Sequence, residues 1–210
     1  MGMNLRKRLS KRSQTPKRMS ETALVDLAKG GDKGALRAGY ERYVEQGSNY
    51  ISHRTGNHHD AEDLTARVFF RAMGHIETYT ERGVPFQAWL YRIAHNLVAN
   101  WHRDRGRRKV IPLDEFIASS LHDEAPDRQA EDKEERERLL AAIRRLPEER
   151  QQLLLLKFVE HQSNAEIGEI MDRTEGAIKS LYHRTLIALR DELQMQPVGS
   201  PSDLSKEQQG

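Results

Sequence analysis

Cysteine is absent from all 210 residues. That excludes disulfide staples and thiolate metal sites, and it fits a reducing compartment. Aromatic residues make up 6% of the chain and hydrophobic residues 37%, enough for small helical cores but poor material for a large sheet sandwich. Long apolar runs are missing too. The leucine run Leu153–Leu156 falls far short of the roughly 18–20 apolar residues of a membrane-spanning helix. The basic N-terminus is not followed by an apolar stretch, so it does not read as a secretory signal. No stretch shows the alternating pattern of a strand, and there is no phosphate-binding glycine loop, dinucleotide fingerprint or nucleophile elbow. The expectation is a soluble, intracellular, non-enzymatic protein without a cofactor. One cluster, His58, His59, Asp60, Glu62 and Asp63, has metal-ligand chemistry. Its members are consecutive at a helix start and point in different directions, with no second cluster, so no metal site is expected.

What the chain has is charge, unevenly placed. Thirty-four Lys and Arg against 32 Asp and Glu leave a net charge of +2, which conceals the segregation. Residues 1–20 hold seven bases and no acid, residues 103–109 (RDRGRRK) are basic again, and Leu113–Glu137 holds ten acids against three bases. Basic, acidic and again basic segments in one chain suit a protein that meets a polyanion in some places and avoids or mimics one elsewhere.

Hydrophobic periodicity divides the chain into five parts. Residues 1–20 show none and read as a disordered basic arm. From residue 21 a helical pattern carries Leu24, Leu27, Leu36, Tyr40 and Tyr43, interrupted at Gly30-Gly31. A further helix, "HHDAEDLTARVFFRAMGHI", has acids in its first turn, where the helix dipole favours them, and an apolar stripe of Leu64, Val68, Phe69, Ala72 and Met73. The loop Tyr79–Pro85 ends it, and a helix from about Phe86 to Arg105 follows. Residues 106–133 turn to Pro, Ser, Asp and Glu and read as an extended acidic linker. Helical pattern returns over 134–194, broken at Pro147, and residues 195–210 form a polar tail. The fold class expected is all-α: two small helical domains, 21–105 and 134–194, on a tether.

The second domain contains "SNAEIGEIMDRTEGAIKSLYHRTLIALR", with two helix-start signals eleven residues apart. Ser163 and Glu166 form a capping box, each able to satisfy the other's backbone amide. Thr174 caps a second helix with Glu175 at its positive end. Asp172, in the short turn between them, is one of the few residue types that tolerate a left-handed backbone. Ile167, Ile170 and Met171 face inward from the first helix, and Ile178, Leu181 and Leu189 from the second. Two short helices joined in this way have helix-turn-helix geometry, in which the second helix enters the major groove. On its polar face stand Lys179, Ser180, His183 and Arg184, suited to guanine edges and phosphates. The same pattern also describes an amphipathic helix in a bundle.

In "PFQAWLYRIAHNLVANWHRDRGRR" the residues sort by face. Leu90, Ile93, Ala94, Leu97 and Trp101 share an arc of about 100° and read as core. Trp89, Arg92, Asn96, Asn100 and Arg103 share the opposite arc of about 80°, where an aromatic, two amides and two guanidiniums offer stacking, base pairing and phosphate binding. Tyr91, His95 and His102 lie on a flanking arc as cover.

Together, "DAEDLTARVFFRAM", "FQAWLYRIAHNLVANWHRDRGRR" and "LPEERQQLLLLKFVEHQSNAEIGEIMDRTEGAIKSLYHRTLIALRDEL" resemble the extracytoplasmic-function (ECF) sigma factors of bacterial RNA polymerase. The resemblance extends over residues 21–194, with its three motifs in the family's order. It implies a protein that binds core RNA polymerase, recognises the −10 and −35 promoter elements with its two domains and opens the duplex, acting in the cytoplasm. Asp60, Glu62, Asp63, Leu64, Arg67 and Phe70 would dock on the clamp helices of the largest catalytic subunit, and the second domain on the flap region. Tyr79, Phe86, Trp89, Arg92, Asn96, Asn100 and Arg103 would hold the −10 element in single-stranded form, the loop Tyr79–Gln87 capturing a flipped base. Thr174, Lys179, Ser180, His183 and Arg184 would read the −35 duplex. The linker would thread toward the active-site and RNA-exit channels, and an anti-sigma protein is a further partner in keeping with the family. This chain departs from the family pattern at Ala66 and Arg67, where Gln and Glu are usual, at Asp172 for a turn glycine, at Leu181 where Arg is often found, and in its basic arm. The rival reading is a stand-alone helix-turn-helix regulator that binds duplex DNA without polymerase.

Overall fold

The computed structural model describes residues 19–104 and 131–194, and among these every regular element is helical. The expected basic arm, all but the last residues of the linker, and the C-terminal tail lie outside the described residues. The chain divides into two compact units, each described by itself below.

The first unit contains α1 (Glu21–Lys29), α2 (Lys33–Thr55), α3 (His58–His75), a 3₁₀ turn (Ile76–Thr78) and α4 (Phe86–Asp104). Local chemistry sets its helix starts. Ser20 accepts from the Ala23 amide, Asp32 from the Ala35 amide at 2.8 Å and Asn57 from the Asp60 amide at 3.1 Å, so α1, α2 and α3 each begin on a side-chain cap. Gly30 and Gly31 separate α1 from α2, with Gly31 at φ 78°. Gly56, at φ 63°, ends α2 and places Asn57 for the next cap.

The four helices enclose a core of Leu24, Val25, Ala28, Phe69, Ile76 and Leu90 at one end. Tyr50, Ile51, Leu64, Leu97 and Val98 are almost fully buried as well. Burying each such side chain contributes about 1.5–3 kcal/mol, against the entropy of ordering it. Not every periodic apolar residue goes inside: Leu27, Tyr40 and Met73 are 45%, 48% and 48% exposed. A helical stripe is wider than the surface its neighbours cover, and α1 to α3 have too few neighbours to cover all of it.

The second unit is built from α5 (Glu131–Arg145), α6 (Glu148–Leu154) continuing into a π-helical turn (Leu155–Val159), α7 (Asn164–Met171) and α8 (Glu175–Gln194). Helix α5 starts three residues inside the segment read as linker, because "EDKEERERLL" is made of strong helix formers. At its other end, Gln151 donates to the carbonyls of Leu146 (2.7 Å) and Arg144 (3.1 Å), satisfying acceptors that the last helical turn leaves open. All four residues of Leu153–Leu156 are buried, which on a helix requires neighbours on several sides. Leu140, Ile143, Ile167, Ile170, Ile178 and Leu181 supply the rest of this core.

Candidate nucleic-acid interface

Helix α4 carries the first candidate surface. Its buried face holds Leu90, Ala94, Leu97 and Trp101 as the spacing predicts, with Ile93 packed at the edge of the core. Burial extends further round the helix than expected. Val98 is fully buried, and Tyr91 and His102, expected as flanking cover, are 2% and 3% exposed. Tyr91 meets the ring of Tyr50 edge-on at 4.9 Å, and the His102 Nε2 lies 3.0 Å from the Arg54 carbonyl, both on α2. Packing against α2 as well as α3 therefore widens the inward arc.

What is left outside is narrow and polar: Asn96, Asn100 and Arg103 are exposed, and Arg92 is partly so. Arg103 donates to Asn100 Oδ1 at 2.7 Å. With its oxygen engaged, the Asn100 amide offers its NH₂ group, a donor suited to an acceptor on a base edge.

At the start of α4 the aromatics form a closed group. Tyr79 opens the loop and Phe86 ends it, and their rings meet edge-on at 5.0 Å. Trp89 lies 5.2 Å from each of them, so the loop is pinched shut at its base. Gly83, at φ 74°, provides the left-handed residue the short return needs. Lys29 sits over the Tyr79 ring at 5.3 Å, and burial, followed by the charges of Glu21 and Glu81, raises the Tyr79 pKa. The phenol is therefore protonated at neutral pH.

Phe86 needs a correction. Read from the sequence as a DNA-contacting residue, it is 6% exposed, with its ring among Tyr43, Tyr79 and Trp89. It can shape the loop but has almost no surface to give a base.

Helix α3 carries a second surface. Glu62, Asp63, Arg67 and Phe70 are exposed and Asp60 partly so, whereas Leu64 is 1% exposed and belongs to the core rather than to any docking face. The apolar stripe read from the sequence already began at Leu64, and the burial agrees with that reading rather than with the docking role implied by the resemblance. Phe70 is 76% exposed, the largest value among the exposed large hydrophobics of the described residues. The positions four residues to either side are Ala66 and Gly74, too small to cover the ring. In the first turn His58 pairs with Glu62 at 3.3 Å, and among the described residues no group of three or more acids and histidines converges.

The helix-turn-helix is the third surface. Ser163 and Glu166 close their capping box in both directions, at 2.6 and 3.2 Å. Asp172 is left-handed at φ 56°. Thr174 accepts from the Ala177 amide at 3.2 Å, so its hydroxyl caps α8 and is committed to the turn. Arg173 pairs with Glu149, tying the turn to α6. Lys179, Ser180, His183 and Arg184 are all exposed on α8. Lys179 is engaged by Glu175 at 2.7 Å, one helical turn earlier, and must exchange that partner to bind a phosphate.

Sequence reasoning missed Gly168. Its carbonyl accepts from the Arg173 amide at 2.8 Å, and a Cβ there would lie 2.7 Å from the Arg173 carbonyl oxygen. An isolated glycine inside a helical pattern was the available signal, since it marks close backbone approach. Gly168→Ala is expected to destabilise the second unit by about 1–3 kcal/mol. A thermal melt of the full chain followed by circular dichroism checks this.

The fold and these surfaces define an all-helical protein with a helix-turn-helix in one unit and an amide-bearing, aromatic-edged helix in the other. The family described as Sigma-70 region 2 matches residues 40–108, and Sigma-70 region 4 matches residues 136–189. Over 166 residues the chain is 35% identical to the ECF RNA polymerase sigma factor BldN of Streptomyces coelicolor, a match covering 79% of this chain and 63% of that protein. With the ECF sigma factor SigD of Mycobacterium tuberculosis it shares 30% identity over 175 residues, covering 81% of this chain and 82% of SigD. The chain belongs to the ECF RNA polymerase sigma factors. Two solved structures share the fold. CnrH, determined with the cytosolic domain of CnrY, gives a TM-score of 0.53 at 19% identity, over 84% of this chain and 99% of that one. RpoE of Bartonella quintana, in complex with the anti-sigma factor NepR, gives 0.50 at 17%, over 77% and 98%.

Proposed function

We propose that this sigma factor binds core RNA polymerase, recognises a promoter through both helical units and opens the duplex at the −10 element. The observation that carries the reading is the outer face of α4. Two amides and Arg103 stand exposed on a helix whose opposite face is buried, beside a loop closed by Tyr79, Phe86 and Trp89. A solvent face needs no aromatic ledge; unpaired bases do, because stacking and edge hydrogen bonds are how single strands are held.

Residues 21–105 serve as the −10 and polymerase-docking domain and 134–194 as the −35 domain, with 106–133 between them. Tyr79, Trp89, Asn96 and Asn100 contact bases, with Arg92 and Arg103 on phosphates and Phe86 beneath the loop. Lys179, Ser180, His183 and Arg184 read the −35 duplex, and Thr174 fixes the approach of their helix. Asp60, Glu62, Asp63, Arg67 and Phe70 dock on the polymerase clamp, and the second unit meets the flap region. The protein works in the cytoplasm, where polymerase and promoter meet. RpoE was solved with an anti-sigma factor, and a regulator of that kind acts on this chain as well.

Run-off transcription tests the reading. Core polymerase and a fragmented genomic library should yield new, discrete start sites when the protein is added. No new start sites and no co-purification with core enzyme would reject it. Tight duplex binding without polymerase would instead indicate a stand-alone regulator.

A further inference from the structure

Glu21 opens α1 and lies 65 residues from Phe86 in the chain, yet its carboxylate holds the first residue of α4. Glu21 Oε1 accepts from the Phe86 amide at 2.7 Å, and Glu21 Oε2 accepts from the Tyr43 hydroxyl at 2.6 Å. One carboxylate thus ties α1, α2 and α4 together at the point where the loop Tyr79–Pro85 ends.

Each partner is suited to the arrangement. The Phe86 amide belongs to the first turn of α4, whose donors have no partner within their own helix. The preceding residue is Pro85, which has no side-chain acceptor for it. A carboxylate at that end also complements the helix dipole. Tyr43 is 6% exposed, and burial, then the hydrogen bond and charge of Glu21, push its phenol far above its ordinary range. It therefore stays a donor at every pH of interest. Arg42, the preceding residue on α2, donates to the Met19 carbonyl at 2.9 Å, so the start of α1 is fastened on both sides of Ser20. The Tyr43 ring in turn packs on Phe86 at 5.6 Å, and Phe86 on Tyr79 and Trp89. Hydrogen bonds and ring contacts converge on the same few residues.

We propose that Glu21 is a positioning residue for promoter opening: by holding the Phe86 amide and the Tyr43 hydroxyl together, it sets the end of the loop Tyr79–Pro85 and the angle at which α4 presents Trp89, Asn96 and Asn100. This deepens the sigma-factor reading and rests on it. Glu21 touches neither DNA nor polymerase in this assignment. Its effect reaches the bases through the loop and the first turn of α4.

The test uses the full chain with core polymerase on a promoter found by run-off, and compares Glu21→Ala, Glu21→Asp and Glu21→Gln. Open-complex formation is followed by the fluorescence of a 2-aminopurine in the −10 region, on duplex and on pre-melted templates. Glu21→Ala removes both hydrogen bonds and should open the duplex at least about tenfold more slowly, the scale that the loss of even one charge-assisted hydrogen bond sets. Core binding should stay at the wild-type level, and a pre-melted template should restore most of the signal. Glu21→Asp keeps the charge but is one methylene too short to reach both partners, and should show the same defect. Glu21→Gln keeps an oxygen for the Phe86 amide and should recover to within about threefold of wild type.

Duplex opening at the wild-type rate in a folded Glu21→Ala or Glu21→Asp protein would overturn the proposal. So would a defect in step with lost core binding, or one that pre-melting leaves unchanged. If Glu21→Ala does not fold, the contrast between the aspartate and glutamine variants decides. If the wild-type protein opens no promoter with core polymerase, the sigma-factor reading has failed, and that outcome is distinct from a variant that behaves as wild type.

Discussion

Replacing Phe70 with alanine is expected to weaken binding to core RNA polymerase about 30-fold or more while leaving the fold intact. The two halves of that expectation have separate reasons. At 76% exposure the ring contributes little to the core, so a thermal melt of the variant should lie close to wild type. A bare aromatic flanked by the small residues Ala66 and Gly74 is the shape of an interface anchor. Truncating a central anchor of that kind typically costs about 2–4 kcal/mol, and each 1.4 kcal/mol is about tenfold in affinity. Fluorescence anisotropy of labelled protein titrated with core enzyme reads the effect. Unchanged affinity would remove α3 from the docking surface. The control is Leu64→Ala, which should lower the melting temperature because Leu64 is 1% exposed. Loss of binding there reports unfolding, not a lost contact.

Asn96→Ala should give the opposite pattern, with polymerase binding retained and promoter opening lost. The side chain is exposed on the outer face of α4, so its removal leaves no cavity. A well-formed amide contact to a base edge is worth about 1–3 kcal/mol of discrimination, which predicts open complexes reduced by about 5- to 150-fold on the duplex promoter. Asn100→Ala should share the defect. Because Arg103 holds the Asn100 oxygen at 2.7 Å, Arg103→Ala should also weaken base selection there by letting that amide rotate. A folded Asn96→Ala protein that no longer binds core polymerase would contradict the division of labour between α3 and α4.

The legible features were those whose partners are close in sequence. Ser163 and Glu166 are three residues apart, and their capping box is a property of one helical turn. Thr174 and Asp172 follow from the same local rules of cap and turn. Periodicity likewise placed Leu90, Leu97 and Trp101 inside and Asn96 and Asn100 outside, because a helix carries its faces in its own geometry.

The errors came where burial depends on a neighbouring element. A wheel drawn for α4 alone cannot register α2, so Tyr91 and His102 looked peripheral, and the resemblance that assigned Phe86 to DNA carries no information on its burial. Leu64 was expected both in the apolar stripe and, by resemblance, on a docking face, and its burial decides for the stripe. Gly168 mattered through a turn that folds back to 2.7 Å from where its Cβ would be.

Sequence alone thus determined the helical class, the capped starts of α7 and α8 and the polar face of α4, because each is written in residue spacings of three or four. Tertiary structure decided which aromatics remain outside, how the loop Tyr79–Pro85 is closed, and that Glu21 reaches α4. Those contacts join residues up to 65 positions apart, and no local propensity distinguishes a carboxylate that caps a distant helix from one that faces water.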